Sequence, residues 1–441
     1  MKKITILFLL LTLTLVICAC QEIPDASVGL PSSSMQISSP EPVWSILPQS
    51  KPIPPTSAPE PTLPENCDNG HTFFYEAPYC SVCGMDYYSA TLRFRLSEDG
   101  TYYYVLSIGD YGRTKVVVPE TYNGLPVEEI FTMVEFNEFF GAHQRITHVV
   151  LPNSIKTIHQ RAFDSYRALV SINIPDGITR IEQRTFIGCS SLVSLTLPES
   201  VTYIGEATFS GCTKLKDLQL PEGVTELGAC TFSGCKALEE IHIPEEMTEI
   251  PFALANGCTS LKKVTCGDNI TLIDSNAFKD CVSLESFTIG EKVTQIRGEA
   301  FRGCKSLTSI VIPNSVTTIG NIAFGECNGL TNIVIPDSVT EIGSWAFLKC
   351  ENLETVEIGT GLKKLGSDVF KHCSKLKTIF YRGTEADWAQ IEVQASNTND
   401  MLLNPKFKGI TVFYYSEEEP TEEGNFWHYV DGKPTPWETN E

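Results

Sequence analysis

A 23-residue period runs through more than half of the 441-residue chain, and it constrains the fold more than any other feature. A Pro or Gly stands at each step from Pro152 to Gly359, and eleven residues later a Phe stands at nine of the ten steps. Leu recurs with the same period from Leu169 to Leu376 without exception, and no insertion interrupts the ten repeats. Such strictness is typical of stacked coils, since a slip of one residue would carry core side chains into water. The sequence therefore predicts a solenoid in which each coil packs against the next.

One repeat contains two strand-like parts and a turn. Apolar and polar residues alternate from Leu307 to Ile312, as in a strand, and a second short extended piece ends at Ile319. From Ala323 to Leu330 the apolar residues have helical spacing, which predicts one short helical or 3₁₀ turn. The predicted fold class is an α/β-type repeat solenoid of 23-residue leucine-rich coils, mostly β and irregular, with short strands and a short helical turn in each coil.

The segment 312–336, IPNSVTTIGNIAFGECNGLTNIVIP, strongly resembles the BspA-like leucine-rich repeat of bacterial surface proteins. The resemblance extends over about residues 119–381. It implies a leucine-rich-repeat solenoid on a surface-exposed protein that binds other proteins or adheres to host and neighbouring cells. The acidic and aromatic tail also looks like one found in BspA-like proteins of gut firmicutes.

Residues 1–20 have the pattern of a lipoprotein signal peptide. A lysine pair precedes an apolar run from Ile4 to Ile17 that is too short for a comfortable membrane span. The run ends in Ile-Cys-Ala-Cys, which resembles a lipobox and predicts lipidation of Cys20. The alternatives are an ordinary cleaved signal and an uncleaved anchor.

Two further segments precede the repeats. Residues 21–66 hold eleven prolines and nine serines in 46 positions and form a predicted disordered linker, because they contain no apolar pattern that could fold into a core. Residues 67–90 form a small zinc-ribbon-like module with the spacing Cys-x3-His-x8-Cys-x2-Cys, which suits one structural zinc. The alternative is one or two disulfides, since the chain is predicted to be exported. The candidate ligands are Cys67, His71, Cys80 and Cys83.

The remaining boundaries follow the repeat. Residues 91–151 are predicted to form a hairpin and a degenerate capping repeat, residues 152–381 the ten-repeat solenoid, and residues 382–441 a C-terminal cap with an acidic, aromatic tail.

No residue pattern points to catalysis. Nine cysteines, which we call the ladder cysteines, recur every 23 residues from Cys189 to Cys373. They are predicted to be buried free thiols of the core. Nucleophile elbow, metalloprotease, phosphate-loop and dinucleotide motifs are missing from the sequence, so no enzyme activity is predicted. The formal net charge of −21 disfavours nucleic acid as a partner.

The outward positions of the first strand in each coil vary in residue type and are the predicted partner-binding row. We expect an extracellular protein on a host or neighbouring cell to bind there, and we expect a lipid anchor to hold the chain at the outer face of the cell membrane. The alternative is a glycan-binding or cell-wall-associated structural module. The sequence predicts no oligomeric state. The row consists of Asn173, Thr196, Gln219, His242, Thr265, Thr288, Val311 and Val334.

One coil breaks the Phe pattern with Ala255. Removing a buried Phe costs about 3–5 kcal/mol unless another side chain fills the space. We therefore expect a locally distorted turn at 251–257 that moves Phe252 or Leu254 inward.

Overall fold

The computed structural model describes residues 92–108, 114–131, 145–394, 410–421 and 424–437. The signal peptide, the linker and the Cys/His module predicted over residues 1–90 lie outside the described residues.

Within the described ranges the chain forms short strands and one single-turn helix, α1 (Glu385–Trp388). The strands are β1 (Leu92–Leu96), β2 (Tyr103–Ile108), β3 (Lys115–Val117), β4 (Thr121–Tyr122), β5 (Leu125–Ile130), β6 (His148–Val150), β7 (Thr157–Ile158), β8 (Ser171–Ile172), β9 (Arg180–Ile181), β10 (Tyr203–Ile204), β11 (Glu226–Leu227), β12 (Glu240–Ile243), β13 (Glu249–Ile250), β14 (Lys263–Cys266), β15 (Leu272–Ile273), β16 (Gln295–Ile296), β17 (Thr318–Ile319), β18 (Asn332–Ile335), β19 (Glu341–Ile342), β20 (Thr355–Ile358), β21 (Lys364–Leu365), β22 (Thr378–Tyr381), β23 (Glu392–Val393), β24 (Thr411–Tyr415), β25 (Phe426–Val430) and β26 (Lys433–Pro436).

Strands of successive coils pair in parallel and build two faces of a solenoid. We call the face built by β3, β6, β8, β12, β14, β18, β20, β22 and β24 the front face, and the face built by β7, β9–β11, β13, β15–β17, β19, β21 and β23 the back face. Asn332 pairs with Thr355 on the front face, and Thr318 pairs with Glu341 on the back face. Both pairs join residues 23 positions apart, so the predicted coil length is confirmed.

The third side of each coil is a turn, and the predicted helical turn is not confirmed. Two residues per coil have positive φ, as at Arg184 (59°) and Gly188 (72°), on either side of Phe186. A left-handed residue cannot continue a right-handed helix, so the three residues between these two breaks cannot form one. Alternate N–H groups instead donate to the next coil, as Phe186 N donates to Thr208 O at 2.9 Å. The fold is therefore a β-solenoid with almost no helix.

The coil interior consists of continuous columns of like side chains. From Phe163 to Phe232 the rings stack with centroids 5.4–5.9 Å apart, and the planes of neighbouring rings are within 5° of parallel. A second Phe column runs from Phe278 to Phe370 at 5.4–5.5 Å. Each fully buried Phe contributes about 1.5–3 kcal/mol. The columns therefore account for much of the cohesion between coils.

The turn around Ala255, where the Phe column is interrupted, keeps the geometry of the other turns. Leu254 is fully buried in the main core, at the position where other coils have Ala, Thr or Val. Phe252 is only partly buried and packs against a small separate apolar cluster. The turn keeps its usual left-handed residue, Ala253, with φ of 50°. The expected distortion of 251–257 is therefore wrong, and the inward side chain is Leu254.

The front sheet is interrupted where β-branched core residues are replaced. Leu195 and Leu218 occupy core positions in two successive coils, which are joined by a single isolated bridge. Phe287 occupies the same position farther along, 5.1 Å from Phe278 and 5.4 Å from Phe301 between ring centroids. Leu lacks the β-branched shape that favours strands, and Phe is larger than the Ile or Val it replaces. Regular pairing returns at β12 and again at β18, where Ile or Val takes the position. The coil of Ile310, between Phe287 and β18, has Ile at the position and no strand, so the replacement does not account for the gap there.

Both ends of the solenoid carry antiparallel strands. At the start, β1 pairs antiparallel with β2, which continues into the back side of the first coils through β5 and β7. At the other end, β24 extends the front sheet, β25 pairs with β24, and β26 closes the sheet antiparallel to β25. In the described part of the chain, no helix is long and apolar enough to cross a bilayer.

Candidate functional face

All eight residues of the predicted partner-binding row lie on the front face with their side chains toward solvent. Seven are exposed, and His242 is half-buried. Val311 is 79 % exposed and Val334 43 % exposed, so the row carries two adjacent exposed apolar side chains. The structure therefore presents these residues as one continuous surface, which we call the front row. Its role in partner binding stays a prediction.

The first residue of the front row is already engaged within the protein. The side-chain amide of Asn173 accepts a hydrogen bond from Leu151 N and donates one to Leu151 O, both at 2.8 Å. This amide replaces the strand backbone as the partner of Leu151. A hollow of about 270 Å³ lies beside it, at the first interruption of the front sheet. Its polar lining consists of Ser171, Asn173, Asp176, Ser194 and Thr196.

The middle of the front face is charged. The Nδ1 atom of His242 lies 2.7 Å from Thr265 Oγ1, and its Nε2 atom lies 3.3 Å from Glu222 Oε1. Directly before β12, the carboxylate of Glu239 lies 3.1 Å from the ammonium groups of both Lys216 and Lys262. Hydrogen bonds from these two ammonium groups hold the pKa of the Glu239 carboxyl below its usual value.

A carboxylate continues the front row beneath the C-terminal strands. Glu357 follows Val334 by one period and is buried. Its Oε1 atom accepts hydrogen bonds from Arg382 Nε at 2.6 Å and from the hydroxyl of Tyr429 at 2.5 Å. Burial and the bond to Glu357 raise the pKa of Tyr429. These contacts fasten β25 to the front face.

Aromatic side chains complete this end of the front face. Phe380, one period after Glu357, is buried against Trp427, with ring centroids 5.3 Å apart. Trp427 is fully buried, and its Nε1 donates to Tyr381 O at 2.8 Å. The C-terminal strands therefore cover the front face from Glu357 onward, and the open part of the front row ends at Val334.

Sequence reasoning missed a second row that borders the front row. Its members stand three residues after seven of the eight front-row residues, and all of them are exposed. The exception is the coil of Val311, where Asn314 takes the position. The same 23-residue step could have revealed it, although its positions lie outside the strands. We call this set the acidic row: Asp176, Glu199, Glu222, Glu245, Asp268, Glu291 and Asp337.

The prediction of one structural zinc is overturned as far as the described residues extend. Within them, no group of three or more His, Cys, Asp or Glu side chains could hold a metal ion. The described ladder cysteines are free and buried in an apolar interior, where burial raises the pKa of Cys212 and Cys258 to about 12. Metal binding requires thiolates, and these groups stay protonated thiols. The four candidate ligands from Cys67 to Cys83, like the candidate lipidation site Cys20, lie outside the described residues.

Comparison with known proteins places this solenoid in a family. The model of the BspA type leucine rich repeat region matches six copies, over residues 132–253, 180–308 and 294–395, which together span more than half of the chain. A search of the curated proteins finds no match.

Several solved structures are similar. A leucine-rich repeat protein from Bacteroides ovatus is 25% identical, with a TM-score of 0.51, and the match covers 75% of this chain and 79% of that one. The pneumococcal vaccine antigen PcpA is 20% identical, with a TM-score of 0.49 and coverage of 74% and 92%. A leucine rich cell surface protein from Faecalibacterium prausnitzii is 22% identical, with a TM-score of 0.36 and coverage of 69% and 97%. With the repeat matched over most of the solenoid and the same fold found in the Bacteroides protein, the chain belongs to the BspA-type leucine-rich-repeat family.

Proposed function

We propose that this protein is exported, is held at the outer face of the cell membrane by a lipid on Cys20, and binds another protein outside the cell through its front face. The family supports a protein-binding role, because repeat solenoids use their extended surfaces to bind partners. The proposal assigns no catalytic step to the chain.

The exposure of the front row is the observation that carries the proposal. Val311 and Val334 are exposed side by side on adjacent coils, whereas the Val and Ile columns of the core are buried. Val311 is the more exposed of the two and exceeds Val170 and Val193, which form a second exposed pair. An exposed apolar pair among polar residues is a typical part of a protein interface, in which a few apolar contacts supply most of the binding energy. The C-terminal strands leave this pair open and cover the next two coils.

Site-specific cross-linking tests the proposal. A photoreactive amino acid at Val311, in the full chain displayed on intact cells, should capture a discrete protein from extracellular material. The same group at Glu341 on the exposed back face is the matched control and should capture none. Equal capture at both positions, or no capture at Val311, would refute front-face binding.

Anchoring is tested separately. Cys20→Ser should release the protein from membranes or block its processing, because one cysteine carries the acyl chains. Fractionation of cells that express the variant measures the membrane-bound share. An unchanged share would remove the lipid anchor from the proposal and would leave front-face binding untouched.

A glycan is the second candidate ligand, and the hollow at the first sheet interruption favours it. Hydroxyl, amide and carboxylate groups around a space of about 270 Å³ suit a small polar ligand such as a sugar unit. Thr196→Trp would fill this hollow, and Thr288→Trp is the control on the same row. Loss of binding to wall or mucin glycans in the first variant alone would favour this candidate.

A further inference from the structure

We propose that the protein partner is basic: an extended segment rich in lysine or arginine that lies along the solenoid axis, with its cations on the acidic row and its apolar side chains on the front row. This inference rests on the proposed function, since it names the chemistry of the partner that the front face binds.

The acidic row has the regularity that an extended partner requires. Six consecutive coils, from Asp176 to Glu291, carry a carboxylate at this position, and each of them is exposed. Adjacent coils are separated by about 4.8 Å, so the six carboxylates extend over roughly 24 Å. An extended segment of about seven residues has the same length. The row therefore matches one extended strand in length.

The acidic row and the front row form one surface. Glu222 of the acidic row lies 3.3 Å from the ring of His242 in the front row. At the first coils, Asp176 and Asn173 line the same hollow. At the last coils, Arg382 contacts both Asp337 and Glu357. A partner on the front row would therefore touch the acidic row from Asp176 to Glu291 and again at Asp337, with Asn314 between them beside Val311.

The chain supplies few cations to this row. Within the described ranges, Asp176, Glu199, Glu245, Asp268 and Glu291 make no ion pair with another described residue. The adjacent Lys292 donates to Asn269 Oδ1 at 2.9 Å. Carboxylates that lie close together on adjacent coils repel each other. A cationic partner would relieve this repulsion, which a neutral or acidic partner would not.

One cation of the chain itself already occupies the end of the surface. The guanidinium of Arg382 lies between Glu357 and Asp337, at 2.6 and 3.5 Å. Arg382 therefore shows, inside the molecule, the contact that we assign to the partner: a cation that bridges a front-row position and the acidic row. Beyond it, the next two front-row positions are Val334 and Val311, where an apolar side chain of the partner would sit.

The whole-chain charge favours the same class of partner. A net charge of −21 attracts basic proteins and repels acidic ones during diffusional encounter. The acidic row directs that attraction to the front face.

The test uses the full chain and a defined probe. The probe is a fluorescent twelve-residue peptide of alternating lysine and threonine, and its control is the matching peptide of glutamate and threonine. Glu199, Glu222 and Glu245 are changed together to Gln in the row variant. Glu226, Glu249 and Glu341, which are exposed on the back face, are changed together to Gln in the control variant. Both variants change the net charge by the same amount. Any difference in peptide binding between them therefore reports where the carboxylates lie and not the overall charge.

Fluorescence anisotropy should show that the lysine peptide binds the wild-type protein and that added NaCl weakens this binding. The row variant should bind about tenfold more weakly, as expected for three solvent-exposed ion pairs, and the control variant should change by less than about twofold. Equal losses in the two variants would overturn the proposal, and so would binding of the glutamate peptide. The proposal would also be wrong if calcium displaced the lysine peptide by binding the acidic row stoichiometrically.

The two proposals can fail separately. If the lysine peptide does not bind but the cross-linker at Val311 captures a protein, the basic partner is wrong and front-face binding stands. If neither occurs, both are wrong.

Discussion

The Sγ–H group of Cys235 donates a hydrogen bond to the carbonyl oxygen of Phe209, 3.2 Å away in the preceding coil. The same contact, at 3.0–3.2 Å, joins every ladder cysteine to the residue at the Phe position of the coil before it. The ladder cysteine therefore does more than fill space, because it adds a hydrogen-bond donor between coils in an apolar interior.

Cys235→Ala should lower the free energy of unfolding by about 1–3 kcal/mol. The change removes a buried sulfur atom and the hydrogen bond that the thiol donates to the carbonyl oxygen of Phe209. Urea denaturation followed by circular dichroism measures the change. Cys266→Ala is the control, since Cys266 is a free cysteine that is only partly buried. It should cost less than about 1 kcal/mol. Equal costs at the two positions would contradict a special role for the ladder.

The ladder should also make the protein sensitive to alkaline pH. Burial raises the pKa of Cys212, Cys258 and Cys327 to about 12, whereas cysteines of an unfolded chain ionise near pH 8.5. Above that pH the unfolded state binds fewer protons than the folded state, so stability falls as the pH rises. This stabilisation is complete below about pH 8.5 and is lost progressively up to about pH 12, at a rate of up to about 1.4 kcal/mol per pH unit for each thiol.

Urea midpoints measured at pH 7, 8.5 and 10 should therefore fall by a small step between the first two values and by a much larger step to the third. The double variant Cys212→Ala, Cys258→Ala serves as the control, because it lacks two of the titrating groups. Its decline between pH 8.5 and 10 should be shallower than that of the wild-type protein. An identical decline would assign the alkaline loss to other groups.

The repeat made the coil and its columns predictable, because a constant 23-residue period places equivalent residues of adjacent coils directly above one another. The helical turn was misread, since the spacing of three between Phe186, Cys189 and Leu192 suits a helix as well as a chain of turns. In the structure this spacing reflects bonds from Cys189 N to Phe186 O at 3.1 Å and from Leu192 N to Cys189 O at 3.0 Å. Whether left-handed residues interrupt a turn is not visible in side-chain type, because Arg184 adopts positive φ without being Gly.

The candidate face was predictable only in part. The exposed front row follows from strand alternation, and the structure places all eight members on one face. The cover over Glu357 does not follow, because Arg382 and Tyr429 belong to a region without the period. Long-range contacts of this kind depend on the path of the tail, which residue spacing does not encode.

The exchange of two neighbouring residues should test how the core accommodates Ala255. Leu254→Ala alone should cost about 2–5 kcal/mol, because a fully buried Leu leaves a cavity. Ala255→Phe alone should cost about 1–3 kcal/mol by overpacking against Leu254. The double variant restores the Ala-Phe pair of most other coils, so it should be more stable than the sum of the two losses. Chemical denaturation of all three variants measures this coupling, and strictly additive losses would mean that Leu254 does not fill the missing Phe position.

The last strand closes the front sheet to further strands. Trp437 follows β26 directly, and its N–H donates to Phe426 O at 2.9 Å, so it points toward β25. Because N–H groups alternate in direction along a strand, those of Lys433 and Thr435 also point toward β25. Pro434 and Pro436 therefore hold the two positions of β26 that face away from the sheet. Proline has no N–H, so neither position can donate a hydrogen bond to an added strand. The chemistry of this edge opposes end-to-end association of solenoids.

Changing both prolines to threonine, Pro434→Thr and Pro436→Thr, restores two outward donors on an open edge and should produce concentration-dependent association. Sedimentation velocity of the full chain between about 1 and 100 μM, a range in which weak edge pairing would become populated, measures it. Lys433→Thr is the control, because its N–H faces β25 and the change leaves the edge without new donors. We expect the double variant to sediment faster with rising concentration while the control does not. If the double variant sediments like the control throughout this range, the prolines are not what keeps the edge unpaired.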